Sequence, residues 1–337
     1  AGSDIGGSGS FIRINLQPQA VINANAGGSI YLQETLGSIS LGLINASGYI
    51  HLISAGSIID NDNTHSANIV GRNINLVSLT GSIGAVGSFL DINSAVSGAG
   101  KVDAQAAESI YIFEAAGNLS VGVIASNNGD VHLIAAGSIL DYSNNDSANI
   151  IARHLTLETM GGSLGTLDNF LDISAKGVLN ASALYSIYLY ETLGNMNIGL
   201  VISSTSDIFL KASGSILDSD NNDSANIVGK NINLISLAGS IGKEDNFLDI
   251  DSAVSDAGKV DAQASESIYL SEAAGDLCIG VILSDSRDIH LTSAGSILDY
   301  SNNDSANIIA RHLTLETING SLGTLDNFLD ISAKGVL

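Results

Sequence analysis

The sequence predicts an all-β fold, a right-handed parallel β-helix (β-solenoid) of about twelve rungs. Three observations carry that expectation: a strand-like stretch that recurs, glycine punctuation after each strand, and a strand-and-turn vocabulary. Ser109–Gly117 reads Ser-Ile-Tyr-Ile-Phe-Glu-Ala-Ala-Gly, and close copies begin at Ser29, Ser186 and Ser267, at nearly even intervals. Apolar and polar or aromatic residues alternate within it, which places one set of side chains on each face of a strand. Repetition at a fixed period decides the architecture, because each unit buries its apolar face only against its neighbours. Gly numbers 37 and Pro only 1, among abundant Ile, Leu, Val, Ser, Asn and Asp, the residues of strands and turns.

Three strand signatures follow one another in each repeat. The first is the Ile-Tyr strand. The second is Tyr49-Ile50-His51-Leu52, then Asp130-Val131-His132-Leu133, Asp207-Ile208-Phe209-Leu210 and Asp288-Ile289-His290-Leu291. The third is Asn73-Ile74-Asn75-Leu76 and its counterparts at His154, Asn231 and His312. Their leading apolar positions fall at Ile30, Ile50 and Ile74, then at Ile110, Val131 and Leu155. The later repeats place them at Ile187, Ile208 and Ile232, and at Ile268, Ile289 and Leu313. The step from second to third signature is the same in every repeat, and the step from third to the next Ile-Tyr strand is the longest. Steps of roughly 20–30 residues suit one coil of a β-helix, and the long third step predicts a wider rung. Phe89-Leu90-Asp91-Ile92 and its copies at Phe170, Phe247 and Phe328 read as a further strand there, with Phe plugging the extra width. Val102–Ala106, Leu179–Ala183 and Val260–Ala264 lead back to the Ile-Tyr strand through small residues suited to an inside corner.

A glycine follows the strands at Gly37, Gly56, Gly81, Gly137, Gly214, Gly239 and Gly295, usually as Gly-Ser-Ile. Positive φ at a corner is the expected reason for it. Stacked strands ~4.8 Å apart would make twelve rungs a rod of roughly 55–60 Å. Parallel crossovers favour the right hand. The predicted organisation is one solenoid over residues 1–337: a partial unit 1–28, units 29–108, 109–185 and 186–266, and a truncated unit 267–337. Ala136–Leu179 and Ala294–Leu337 differ only at Met160/Ile318 and Gly161/Asn319, which marks recent tandem copying. The chain starts and stops inside a repeat, so it reads as a piece of a longer protein.

Lys and Arg number 12 against 35 Asp and Glu, a net charge of −23. Such a surface repels phosphate backbones and anionic lipid, so nucleic acid is excluded as a partner. No apolar run reaches the ~20 residues of a spanning helix, so membrane insertion is not expected. Cys278 stands alone, with Ser40, Ser120 and Asn197 at the equivalent positions, so neither a disulfide nor a Cys-ligated zinc site can form.

Two sets of residues are candidates for binding. The loop after the second strand carries carboxylates and amides at close spacing, the ligand types of calcium. Asp141, Asp146, Asp218, Asp220, Asp223, Asp299 and Asp304 are the candidate ligands, although the Gly and bidentate Glu of an EF-hand are absent and His65 replaces the last Asp in the first copy. The competing reading is a solvated turn held by Asx hydrogen bonds. No cofactor is required by anything in the chain, and Ca²⁺ is the one candidate. Asn68, Asn149, Asn226 and Asn307 follow as candidate inside-corner residues. The second set is an outward column of Tyr31, His51, Tyr111, His132, Tyr188, Phe209, Tyr269 and His290, in which stacked rungs align ring on ring. Arg72, Arg153, Lys230 and Arg311 precede the third strand, where local ion pairing is expected. Every Asp, His and Arg that stands out recurs across the repeats, whereas a β-helical lyase or hydrolase needs one unique cluster of acids and bases. The expectation is therefore no catalytic residue and no enzyme.

The Gly-Ser-Ile punctuation, the Asn-Ile-Asn-Leu and Asp-Ile-His-Leu strands and the long tandem units resemble the β-helical regions of giant bacterial surface and secreted proteins, filamentous-haemagglutinin-like adhesins among them. The resemblance spans nearly the whole chain and lies in repeat grammar. It implies a right-handed β-helix, an extracellular or cell-surface setting, and a structural and adhesive role. The implied partners are other cell surfaces or surface polysaccharide, with self-association through exposed strand edges. A carbohydrate-binding or carbohydrate-active β-helix is the alternative. The Gly-Gly-x-Gly-x-Asp nonapeptide is absent, so no stacked calcium sites follow from it.

Overall fold

Alternation of inward Ile, Leu and Val with outward polar and aromatic residues closes the chain into parallel coils. The computed structural model describes residues 2–96, 98, 100–252 and 258–335. Leu337, at the end of the duplicated segment, lies outside them. The chain is all-β and forms a β-solenoid of about 14 turns. Its residues fall into two compact units, Ala1–Gly177 and Val178–Leu337. No helix among the described residues is long and apolar enough to cross a membrane.

In the first unit the strands alternate between two parallel sheets. Ile30–Glu34, Tyr49–Ser54, Asn73–Ser78 and Lys101–Ala106 lie side by side in one sheet. Ile39–Ala46, the pair Ile58–Asp60 and Ile69–Val70, Leu90–Asn93 and Ile110–Glu114 form the other. The register stacks like on like: Ile30, Ile50, Ile74 and Val102 form one interior file, and Leu32, Leu52, Leu76 and Ala104 the next. All eight are buried, each larger side chain contributing about 1.5–3 kcal/mol. The second unit repeats the scheme with Ile187–Glu191, Ile208–Ala212, Ile232–Ser236 and Lys259–Ala264 in one sheet.

Two sequence expectations about the long step are corrected. The stretch between Ile74 and Ile110 is no widened rung; it holds the strands Leu90–Asn93 and Lys101–Ala106, a turn and a half of ordinary coil. That is why the turns exceed twelve. From Ile30–Glu34 to its next copy, Ile110–Glu114, the chain makes seven half-turns, so the copy lands on the opposite sheet. The same holds in the second unit between Ile187–Glu191 and Ile268–Glu272. The second correction concerns Phe89 and Phe247, which do not plug the interior. Each precedes an inward Leu, so alternation turns its ring outward, where it is only half-buried.

The corner glycines also act differently from expectation. Gly37, Gly56, Gly81, Gly137, Gly214, Gly239 and Gly295 are not among the residues with positive φ. At all of them but Gly37, which faces open space, the role is close approach: a Cβ on Gly56 would stand 2.6 Å from Ser38 Oγ of the preceding coil, closer than van der Waals contact permits. That hydroxyl is fixed by accepting the Ser57 N–H at 2.9 Å, and Ser57 Oγ in turn accepts the Ser82 N–H at 3.1 Å. The second unit builds the same ladder from Ser215 to Ser240 at 3.0 Å. The corner thus places a serine oxygen at Gly56, Gly81 and Gly239, and an Asn118, Asn195 or Asp276 oxygen at Gly137, Gly214 and Gly295, where it accepts a backbone donor of the next coil and fills the space a side chain would need.

Candidate functional site

The rings align in register within each repeat as the sequence predicts, but the single outward column expected is divided between the two sheets of each unit. Tyr31, His51 and Asn75 stand in register, as do Tyr111, His132 and Thr156 on the opposite sheet of the first unit. In the second unit Tyr188, Phe209 and Asn233 align on one sheet, and Tyr269, His290 and Thr314 on the other. The sequence reading left out the phenylalanine that completes three of these columns. Phe11 packs edge-on against Tyr31 and His51, at ring-centre distances of 5.7 and 4.9 Å. Phe89 does the same to Tyr111 and His132 at 5.8 and 4.8 Å, and Phe247 lies edge-on to His290 at 4.8 Å and tilted at 60° to Tyr269 at 5.7 Å. The parity of Phe-Leu-Asp-Ile was the available signal. Where Phe209 replaces the histidine, the rings of Tyr188 and Phe209 stack at 5.7 Å and 25°, and Lys211 Nζ lies 4.3 Å over Tyr190.

The histidines are tied to their own surroundings. His132 Nε2 is 2.6 Å from Glu158 Oε1, and His290 Nε2 is 3.1 Å from Glu316 Oε1. Burial pushes the His51 pKa down and favours the neutral ring, and its Nε2 has no hydrogen-bond partner. The cations ahead of the third strand pair where expected at two positions: Arg153 meets Asp130 at 2.9 Å and Arg311 meets Asp288 at 3.1 Å. The Arg153 hydrogen bond holds the Asp130 carboxyl below its ordinary range.

The Asp/Asn loops are excursions from the middle of a strand. Ile39–Ala46 pairs with Ile58–Asp60 at one end and with Ile69–Val70 at the other, and residues 61–68 bulge out between them. Asp60 and Asn68 pin the base: Asn68 Nδ2 donates to Asp60 Oδ1 at 2.9 Å, and its Oδ1 accepts the Asp91 N–H at 3.3 Å. The pin recurs as Asp141 with Asn149 at 2.7 Å, Asp218 with Asn226 at 2.8 Å, and Asp299 with Asn307 at 2.8 Å. The loop then turns on Asn63, Asn144, Asn221 and Asn302, all at positive φ, which asparagine tolerates.

Three of the seven candidate calcium ligands, Asp141, Asp218 and Asp299, are engaged by their own loops. Asp218 accepts the Asp220 N–H at 3.0 Å and the Asn221 N–H at 2.9 Å. Asp141 accepts from Ser143 at 2.7 Å and keeps one buried oxygen without a partner. Burial opposes ionisation of Asp299, but hydrogen bonds from Ser301 and Asn307 outweigh it and lower its pKa. Asp146, Asp220, Asp223 and Asp304 are exposed. Among the described residues no group of three or more His, Cys, Asp or Glu is arranged to hold a metal ion.

Beneath the loops lies a buried aspartate that the sequence reading passed over. Asp91 shares an outward register position with Phe113 yet is 1% exposed, because the loop covers it. His65 packs on Phe113 at 5.8 Å and gives its backbone N–H to Asp91. Burial first, then the Asp60 charge, raises Asp91 to about 6. Its counterpart in the second unit, Asp249, is raised to about 6 by burial and the nearby loop carboxylates, with Ser271 hydrogen-bonded to it.

Asp249 lines a cavity of about 290 Å³ with Asp223, Glu244, Asp245, Phe247 and Ser271. Part of this lining belongs to one repeat. Val86, Leu167 and Leu325 stand where Glu244 does, and Phe113 stands where Ser271 does. The signal in the sequence was Lys243-Glu244-Asp245, which departs from the pattern of the other repeats.

No family model matches this chain, and no curated protein or solved structure shows significant similarity to it.

Proposed function

We propose that the chain is a structural and adhesive repeat module of a very large exported bacterial protein, at the cell surface or outside the cell. It acts as a rigid spacer and as a contact surface for other cells or their polysaccharide, and it self-associates through exposed strand edges. The observation that carries this reading is the alternation of the ring columns. Seven half-turns per repeat bring Tyr31 and Tyr111 to opposite sheets of the first unit, and Tyr188 and Tyr269 to opposite sheets of the second. Each unit so offers aromatic rings on both faces, joined by imidazole in every column except that of Tyr188, where Phe209 stands, which suits contact with extended surfaces better than catalysis at one point. The resemblance in repeat grammar to filamentous-haemagglutinin-like adhesins supports the same reading. The test is attachment of protein-coated beads to bacterial and host cells. Alanine at Tyr31, His51, Tyr111, His132, Tyr188, Phe209, Tyr269 and His290 is expected to abolish it, and undiminished attachment would leave only the spacer role.

A second reading, a carbohydrate-binding or carbohydrate-active β-helix, is favoured by the cavity around Asp249. A buried carboxyl raised to about 6 beside the ionisable Asp223, Glu244 and Asp245 is the pairing of acid and base that glycoside cleavage uses. Binding and turnover of a panel of polysaccharides by wild type and by Asp249→Asn tests it. Saturable turnover lost in the variant would replace the adhesive reading.

A further inference from the structure

Inside each unit a carboxyl group sits where an aliphatic side chain would pack. Glu34 and Glu114 end their strands at an inward position in the first unit, as Glu191 and Glu272 do in the second, and all four are at most 2% exposed. Their partners differ. Glu34 accepts backbone N–H groups from Leu16, Leu36 and Gly37, at 2.7, 3.0 and 3.2 Å. Glu114 depends mainly on one serine: the Ser94 N–H reaches its two oxygens at 3.1 and 3.0 Å, and Ser94 Oγ is 2.5 Å away. Glu272 repeats this with Ser252, the N–H at 3.0 Å and the hydroxyl at 2.6 Å.

Among the described residues, the strands beside these groups bring no positive charge to them. Glu114 stands beside Ile92 of one neighbouring strand and Ala135 of the other; besides burial, only Ser94 and the Ala116 N–H act on it. Glu272 stands beside Ile250 and Ser293; Ser252, the Ala274 N–H and the like-charged Asp251 act on it. Ionising either carboxyl therefore places an unpaired charge in an aliphatic coil, which is costly. Burial raises Glu114 to about 7 and Glu272 to about 8, against the hydrogen bonds that oppose the rise.

We propose that Glu114 and Glu272 are interior proton-binding sites, one in each unit, that stabilise the coil around them while protonated and destabilise it on ionisation, when an unpaired charge must be held out of water. The proposal is independent of the adhesive reading. The sign follows from proton linkage: a folded state that holds a proton more tightly than the unfolded chain is most stable in acid. It loses that stability as pH rises through the folded-state pKa. Asp130 and Glu34, whose pKa values are lowered, act in the opposite sense and only at lower pH. Asp91 and Asp249 have finished titrating by about pH 7.

The decisive experiment is an infrared pH titration of the full chain, reading the carbonyl stretch of protonated carboxyl groups between pH 7 and 9, above the range in which Asp91 and Asp249 titrate. A buried-carboxyl band that disappears across this range is expected, reduced in Glu114→Gln or Glu272→Gln and absent in the double variant. Absence of the band in the wild type at pH 7 would overturn the proposal, and this holds even if a variant does not fold. Thermal unfolding gives the second readout: the wild-type midpoint falls by several degrees from pH 6.5 to 9, and the double variant is flat over that range. Parallel profiles for the two proteins would show a packing role only and would equally overturn the proposal.

Discussion

Asp91 and Asp249 occupy one register position in two repeats, and their surroundings show how a solenoid varies locally without changing its core. Around Asp91 the loop comes down: His65 meets Phe113, and the carboxyl is sealed. Around Asp249 the residues in those places are Asp223 and Ser271, and a cavity of about 290 Å³ stays open. The interior files beneath are equally buried in both repeats, with Leu90 and Ile92 matched by Leu248 and Ile250. The lesson is that outward positions and loops carry the differences, because a change there leaves coil stacking intact.

The largest effect should come from the pin that both sites share. Replacing Asn68 or Asn226 by Leu takes one donor from the buried Asp and leaves the Asp91 or Asp249 backbone N–H without its partner, and should cost about 3 kcal/mol, read as a lower urea midpoint. Equal losses at the two positions would show that the pin works identically under sealed and open sites.

Next comes pH. Asp91 and Asp249 are both raised to about 6, so the folded chain holds their protons more tightly than the unfolded one. The stability they give is full below about pH 4 and is lost as pH rises toward 6, about 2 kcal/mol for each. Asp91→Asn and Asp249→Asn should each remove part of that slope, measured by urea unfolding at pH 4.5 and 6.5.

Exchanging the covers is a smaller perturbation. His65→Asp with Phe113→Ser should open the first site and lower stability by about 1–2 kcal/mol through loss of the ring pair, while Asp91, followed by NMR, keeps a raised pKa like that of Asp249, because a carboxylate replaces the imidazole that lowered it. A fall in the Asp91 pKa would mean that entry of water outweighs the added charge. The smallest effect is expected away from both sites: Arg153→Ala removes the exposed pair with Asp130 and should barely move the urea midpoint, with any difference vanishing at high salt.

Much of this was legible in the chain. Strict alternation at Ile30-Tyr31-Leu32 placed Tyr outward and Ile and Leu inward, and the recurrence at Ile50 and Ile74 set Tyr31 beside His51 and Asn75, as found. Alternation also contained the answer for Phe89, since a residue next to an inward Leu must point out. The buried state of Asp91 was not readable in the same way. Its side chain points outward, and only a loop from another coil, anchored by Asn68, takes it out of water. The corner glycines were read correctly as corners and given the wrong cause, because the side-chain oxygen most of them yield to belongs to the coil before.

The sequence by itself determined that the chain coils and which residues thread its interior, because side-chain period and repeat length act locally and recur. Only the tertiary structure decided which sheet each repeat faces and which carboxyls lose their water. Facing depends on whether a repeat contains an odd number of half-turns, a sum over every corner in it. Desolvation depends on what neighbouring coils lay over a side chain, and no single segment encodes that.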